Sequence, residues 1–322
     1  MLPMVLILLS LVFYLLRLAP GDPVAAILGE RNVVYGDAIR KELGLYDPIE
    51  VQYVRYLIRI FTGNMGTSIY TQRSVSADIA QRLPATFELT IASMGVAILA
   101  GVGLGIVSAT HRDRPLDVAS RLSAAVLYNT PVFWFGLMMQ IVFSVWLGWF
   151  DVGGRLDART PIPPRVTGMY TIDSLIALQP YTFFDAVAHL ILPALTLGLV
   201  LAGFFARMVR ANMLQTLQAD YVEAATARGV RPRRVFVTHA LKNAMVPVST
   251  TIGLTFAILF SGAILTETVF SWEGMGRYIY LAIQQRDYPA LQGAVVYYAI
   301  IMVVISLLID VFNAWLDPRI RY

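Results

Sequence analysis

The chain has 322 residues, of which 57% are hydrophobic and 14% charged, and its mean hydropathy is positive. That apolar share is too high for an ordinary soluble domain and points to one membrane domain rather than two soluble ones. There are no cysteines, which excludes a disulfide framework and thiolate metal sites, and the net charge of +4 is small enough to orient a membrane chain rather than to bind nucleic acid.

The first apolar run, Leu2 to about Leu16, is closed by Arg17 and then by Leu18-Ala19-Pro20-Gly21-Asp22-Pro23, whose prolines and glycine stop a helix. A cleaved signal peptide is the alternative. No basic residue precedes the run and no small-x-small site follows it cleanly, so we read residues 1–19 as a membrane span. Residues 20–82 are polar and charge-balanced and form a long first loop. Within it Asp47-Pro48 opens a helix over Ile49 to Phe61, where Val51, Val54, Leu57, Ile58 and Phe61 recur at helical spacing. This segment is too polar to span and reads as an amphipathic helix at the membrane surface or against the bundle.

Residues 83–322 hold five further runs of spanning length, at about Leu89 to Ala109, Val118 to Phe150, Ala186 to Phe205, Ala244 to Leu265 and Gly293 to Trp315. If each crosses, His111-Arg112-Asp113-Arg114, the stretch from Arg207 to Lys242, and Arg319 with Arg321 share one side, which the positive-inside rule makes cytoplasmic. Both termini then lie in the cytoplasm. The long first loop and the loops Asp151 to Asp185 and Glu267 to Ala290 face outward.

An intramembrane enzyme needs a nucleophile with its base, or metal ligands, facing a cavity. The chain has no G-x-S-x-G, no H-E-x-x-H and only His111, His189 and His239, all at span or loop ends where interfacial or packing roles are expected. The span interiors are nearly free of charge, with Glu88, Arg121 and Asp310 near ends, which argues against a proton- or sodium-driven transporter. No phosphate-binding G-x-x-x-x-G-K-[ST] loop is present either, so energy from ATP requires a separate partner.

The stretch from Arg207 to Pro247 offers such a partner a handle. Asp220 to Arg228 is helix-forming, Gly229 can end that helix, and Pro232 can open a second short one. Small alanines flanked by arginines suit insertion of a helix into a groove. An ordinary basic loop obeying the positive-inside rule is the bland alternative. Glu223-Ala224-Ala225, Gly229 after three further residues, and the downstream Asn243-Ala244-Met245-Val246-Pro247 resemble the EAA loop of ABC importer permeases.

The resemblance extends along the chain. Arg17 to Pro23, Leu83-Pro84-Ala85-Thr86-Phe87-Glu88-Leu89, Gly262-Ala263-Ile264-Leu265-Thr266-Glu267-Thr268-Val269-Phe270-Ser271-Trp272 and Leu316-Asp317-Pro318-Arg319-Ile320-Arg321-Tyr322 resemble the B-type permeases of the dipeptide, oligopeptide and nickel importer family. Two departures are the apolar start, where members usually begin with a basic stretch, and the loop containing Pro161, Pro163, Pro164 and Arg165, which matches no family pattern.

The resemblance implies an all-α integral membrane protein with the six-helix type I permease fold, seated in a bacterial or archaeal inner membrane. It implies a heterodimer with a second permease, two cytoplasmic P-loop ATPase subunits that bind the ATP and Mg, and an external solute-binding protein. It also implies alternating access, with Glu223, Ala224, Ala225, Arg228, Gly229, Val230, Arg231 and Pro232 transmitting motion from the ATPases. Dipeptides or oligopeptides are the first expectation for the solute; nickel chelates, glutathione and oligosaccharides follow on family breadth. A stand-alone channel or a secondary transporter is the alternative from another class.

Polar residues that could line the pathway are Asn129 and Thr130, which with Pro131 interrupt the third run, and Ser249, Thr255 and Ser261 on the fifth. Packing between helices is the competing and favoured role for small hydroxyl residues. Glu267, Glu273 and Arg277 sit just beyond the fifth run, where they could gate the pathway or meet the binding protein, with plain solvation as the alternative.

Overall fold

The computed structural model describes residues 2–18, 40, 46–260 and 263–316. Ser261, Gly262, the Ala19 to Pro23 part of the first motif and the Asp317 to Tyr322 part of the last therefore lie outside the described residues. All named elements among the described residues are helices. We number them α1 (Leu2–Leu18), α2 (Ile49–Phe61), α3 (Val75–Thr110), α4 (Pro115–Asn129), α5 (Val132–Met139), α6 (Tyr170–Ile176), α7 (Pro180–Leu217), α8 (Asp220–Ala227), α9 (Pro232–Arg234), α10 (Lys242–Phe260), α11 (Ile264–Val269), α12 (Met275–Gln284) and α13 (Tyr288–Leu316). Wider π-helical turns extend α5 over Gln140–Trp146 and join α9 to α10 over Val235–Leu241.

Among the described residues four helices are long and apolar enough to cross a membrane: α3, α7, the continuous Pro232–Phe260 helix, and α13. A fifth crossing is made by α4 and α5 if they are taken together. These two meet at Thr130 and Pro131 with a bend of 102°, so the single run expected over Val118 to Phe150 is a broken one. Proline at position 131 cannot donate to the helix ladder and biases Thr130 to an extended conformation, observed at ψ 126°. Helix α1 has 17 residues and supplies a shorter apolar segment.

Two expectations need correction. The second helix of the basic segment is not short, because Pro232 opens a helix that continues without a stop into the span and is described as far as Phe260. The end of the segment expected as loop over residues 20–82 is helical from Val75, and the Leu83 to Leu89 motif lies inside α3 with Pro84 accommodated there. At about 1.5 Å per residue, the 36 residues of α3 and the 38 of α7 reach roughly 54 and 57 Å, well beyond a hydrocarbon core of about 30 Å. Both helices therefore carry their ends into the aqueous layers.

The pair α3 and α7 is the axis of the bundle, and 56% of the apolar window of α7 is buried in protein against 33% for α3. Their close approach depends on missing side chains. A Cβ at Gly101 would lie 2.7 Å from Cβ of Phe205, and one at Gly105 would lie 2.6 Å from Cβ of Val209. Small residues four apart are how membrane helices pack when no hydrophobic drive separates lipid from protein. Met94, Ala97, Leu197, Phe205 and Leu259 fill the middle of this interface. The amphipathic helix α2 forms over the expected residues; its Tyr56 packs with Leu9 and Phe13 of α1 and Val296 of α13.

The bundle has two distinct ends. At the basic end, Ala109, Val209, Met213, Ala240, Ala244 and Val248 bring together the termini of α3, α7 and α10. Asp117 of α4 is fully buried there, accepting from Nε and NH2 of Arg210 at 2.9 Å each and from Ser108 Oγ at 2.5 Å. At the opposite end, which we call the loop end, Ala85, Leu89, Ala194 and Trp272 close the other core.

Candidate functional site

At the basic end, α8 is built to present one face. Asp220 and Glu223 stand in its first turn, where the helix dipole favours negative charge. Its last turn closes as a Schellman motif: Gly229 N–H donates to the Thr226 carbonyl at 3.0 Å, and Val230 N–H donates to the Ala225 carbonyl at 3.2 Å. Gly229 sits at φ +74°, which explains the glycine physically, because a side chain is strained in that conformation. Val230 then folds back onto Val222, Ala225 and Val235, a small core that locks the turn.

This arrangement sorts the expected contact residues. Ala225 is buried and Val230 half-buried, so they hold the turn together, whereas Glu223, Ala224, Arg228, Gly229, Arg231 and Pro232 are exposed. Arg228, Arg231, Arg233 and Arg234 rim a concave surface of about 630 Å³ between α8 and α9. It is strongly basic and offers guanidinium donors to an acidic partner surface.

At the loop end, two of the motifs quoted above meet. Thr86 Oγ1 donates to Glu267 Oε1 at 2.7 Å across 181 residues, and Trp272 Nε1 donates to the Ala85 carbonyl at 2.8 Å. Arg277 N–H donates to Glu267 Oε2 at 3.0 Å, and Met275 N–H to Thr86 Oγ1 at 2.7 Å. Glu267 is fully buried, and burial pushes its carboxyl up to about 7, with the Thr86 hydroxyl, the Arg277 and Gly276 N–H groups and the charge of Arg155 opposing the rise. There is no room for a side chain at Gly274, where a Cβ would lie 2.5 Å from both Glu267 oxygens.

Beside this joint Arg155 reaches Glu88 Oε2 at 2.7 Å, stacks its guanidinium 3.7 Å from the Tyr170 ring centre and donates to the Gly168 carbonyl. Thr171 donates to Glu88 Oε1 from both N–H and hydroxyl. Asp173 anchors the preceding turn; burial raises its carboxyl, but the Thr167 N–H and hydroxyl and the Gly168 N–H outweigh this and hold it below the usual range. Gln140 of the π-helical stretch donates to the Val152 and Val269 carbonyls, and Gly154 N–H donates to the Phe270 carbonyl. The whole forms a polar plate across the end of α3.

The candidate gate residues divide accordingly. Glu267 is internal to the plate, Arg277 is half-buried and donates from its side chain to the Ser271 carbonyl, and Glu273 is exposed. The candidate pathway residues are not brought together with them. Asn129 and Thr130 donate to the Ala125 and Val126 carbonyls of their own helix, and Ser249 to the Val246 carbonyl, while Thr255 is half-buried on α10. Sequence reasoning missed Arg155, Asp117 and Arg210 as structural charges; Arg155 lies in a proline-bearing loop with no periodic pattern, so nothing local announced its burial.

Comparison with known proteins decides the family. The model of the binding-protein-dependent transport system inner membrane component matches residues 101–322, and that of its N-terminal part matches residues 2–90. The chain belongs to that family. As a permease subunit of this family it is a non-catalytic membrane component of an ABC importer, with ATP hydrolysis in partner subunits. It is 41% identical to the di/tripeptide transport system permease protein DppB of Pseudomonas aeruginosa over 97% of this chain and 93% of that one. It is 42% identical to the dipeptide permease DppB of Alkalihalophilus pseudofirmus over 96% and 93%, and 38% identical to DppB of Escherichia coli K12 over 97% and 93%. A chain of the inward facing MetNI methionine ABC transporter superposes with a TM-score of 0.56 at 15% identity, covering 74% of this permease and 96% of that chain, which establishes the shared type I permease fold.

Proposed function

We propose that this permease forms half of the translocation pathway of a dipeptide importer. The reading is carried by the near full-length identity of 38 to 42% to relatives named for dipeptide or di/tripeptide transport. Its partners are a related second permease, two cytoplasmic P-loop ATPases that hold the ATP and Mg, and an external solute-binding protein.

In this reading the basic end faces the cytoplasm, as the positive-inside rule requires, and both termini lie on that side. The exposed Glu223, Ala224, Arg228, Arg231 and Pro232 engage an ATPase, while Ala225, Gly229 and Val230 hold α8 rigid so that ATPase closure moves the bundle rather than bending the turn. The continuous Pro232–Phe260 helix supports this, because displacement at Pro232 is passed directly to Phe260 beside the plate. Glu273 is exposed where the binding protein docks, Glu267 acts from within the plate, and Asn129, Thr130, Ser249, Thr255 and Ser261 remain the pathway candidates.

The test is reconstitution in lipid vesicles with the second permease, the ATPases and the binding protein. Dipeptide presented by the binding protein should stimulate ATP hydrolysis and be accumulated. Glu223→Lys should leave the complex in the membrane and abolish accumulation. Stimulation by an unrelated solute but not by dipeptides overturns the solute assignment; full uptake by Glu223→Lys overturns the coupling role. Orientation is read separately by introducing one cysteine at Arg228 or at Glu273 into this cysteine-free chain and labelling with an impermeant thiol reagent from either side.

A further inference from the structure

His189, in the third turn of α7, has a side chain only 2% exposed and lies between two carboxylates. Its Nδ1 is 3.0 Å from the backbone carbonyl of Asp185 and 3.2 Å from Asp185 Oδ1. Both are acceptors, so Nδ1 carries the hydrogen in the neutral ring and Nε2 carries the lone pair. Nε2 faces Asp151 Oδ2 at 3.3 Å. In the neutral ring Nε2 and the Asp151 carboxylate both present lone pairs, an opposition that either a second proton on the imidazole or a bound metal ion relieves.

We propose that His189, Asp151 and Asp185 bind a divalent transition-metal ion of the zinc class at the loop end of the bundle. The ligand atoms fit: two atoms each about 2.0–2.1 Å from a tetrahedral zinc lie about 3.4 Å apart, close to the 3.3 Å seen between Nε2 and Asp151. One ligand atom from each of the three residues falls within a 4.8 Å group, and Asp185 lies on the Nδ1 side of the ring, 3.2 Å from that nitrogen. Asp151 is 61% exposed, which leaves the fourth position open to water. An imidazole with two carboxylates suits zinc, cobalt or nickel, whereas calcium and magnesium prefer oxygen alone. Asp185 serves this arrangement twice over, since its backbone carbonyl sets the imidazole tautomer and its Oδ2 accepts from Asp157 N–H at 2.9 Å.

The ion would clip the segment from Asp151 to Asp157 onto α7. That segment carries Arg155 into the plate, so occupancy stiffens the joint between loop and bundle.

The full chain purified in detergent should show a saturable rise in Tm with micromolar ZnCl2, reversed by EDTA, and CoCl2 should give the visible absorption of a low-symmetry nitrogen and oxygen site. Background is low, because the chain has no cysteine and only two other histidines, His111 and His239. Both signals should vanish in His189→Gln and in Asp151→Ala. The second variant alters an exposed side chain, so it reports even if the first fails to fold. Absence of a saturable Tm rise, persistence of the signals in Asp151→Ala, or an equal response to CaCl2 overturns the proposal.

Discussion

Arg155 and Glu88 meet at 2.7 Å with 6% and 4% of their side chains exposed, joining an irregular loop to the second turn beyond Pro84 in α3. A pair this deep gains stability only while both members are present, since removing one leaves an uncompensated buried charge. Arg155→Ala should cost about 3–5 kcal/mol. Replacing both residues with apolar ones should recover much of the loss. Thermal or denaturant unfolding of the parent, Arg155→Ala and the double variant checks this, and an Arg155→Ala variant as stable as the parent contradicts it.

The carboxyl of Glu267 provides a pH signature. Its folded value, about 7, lies above the ordinary 4.5, so the folded state holds the proton more tightly. Stability from this group is fully present below pH 4.5 and is lost as the pH rises to 7. The span corresponds to about 3 kcal/mol at most. Glu267→Gln, which keeps the size of the side chain and an amide oxygen to accept from the Arg277 N–H but cannot titrate, should flatten the profile. Melting curves between pH 5 and 8.5 measure it; an unchanged slope in the variant assigns the dependence elsewhere.

Gly101 and Gly103 form a matched pair. A Cβ at Gly101 meets Phe205 Cβ at 2.7 Å and the Ala202 carbonyl at 2.9 Å, whereas one at Gly103 meets nothing within 4 Å. Gly101→Ala should therefore lose about 1–3 kcal/mol by forcing α3 from α7. Gly103→Ala should be neutral or slightly stabilising, because alanine has the better helix propensity. Equal effects at the two sites would mean that α3 and α7 do not cross as described.

At Gly229 the cost of a side chain is conformational alone, because φ is +74° and nothing lies within 4 Å of a Cβ there. Gly229→Ala should weaken the α8 turn by about 1–2 kcal/mol, and Gly229→Asn by less, since asparagine tolerates the left-handed region. Membrane insertion should be unchanged in both. Dipeptide uptake per ATP hydrolysed should fall in the order Gly, Asn, Ala; the reverse order would separate this turn from coupling.

Much of the fold was legible because its signals are local. The length and hydropathy of a run report whether it can cross lipid, and the helix-ending Gly229, the Pro232 start and the period of α2 are each readable within a dozen residues. The extra turns of α3 from Val75 and of α7 from Pro180 were not. Those of α3 are polar enough to resemble loop, and their Asp78, Thr86 and Glu88 find partners in other segments of the chain.

The amino-acid sequence alone determined that this protein lives in the membrane, which end is basic, where α8 stops and which family it resembles, because each rests on composition or short-range stereochemistry. The tertiary structure decided that Glu267 is internal rather than a surface contact, that Arg155 neutralises Glu88, and that Asp151 faces His189. Those residues lie tens to hundreds of positions apart in the chain, and what a buried charge or lone pair does depends on the group that packing places opposite it.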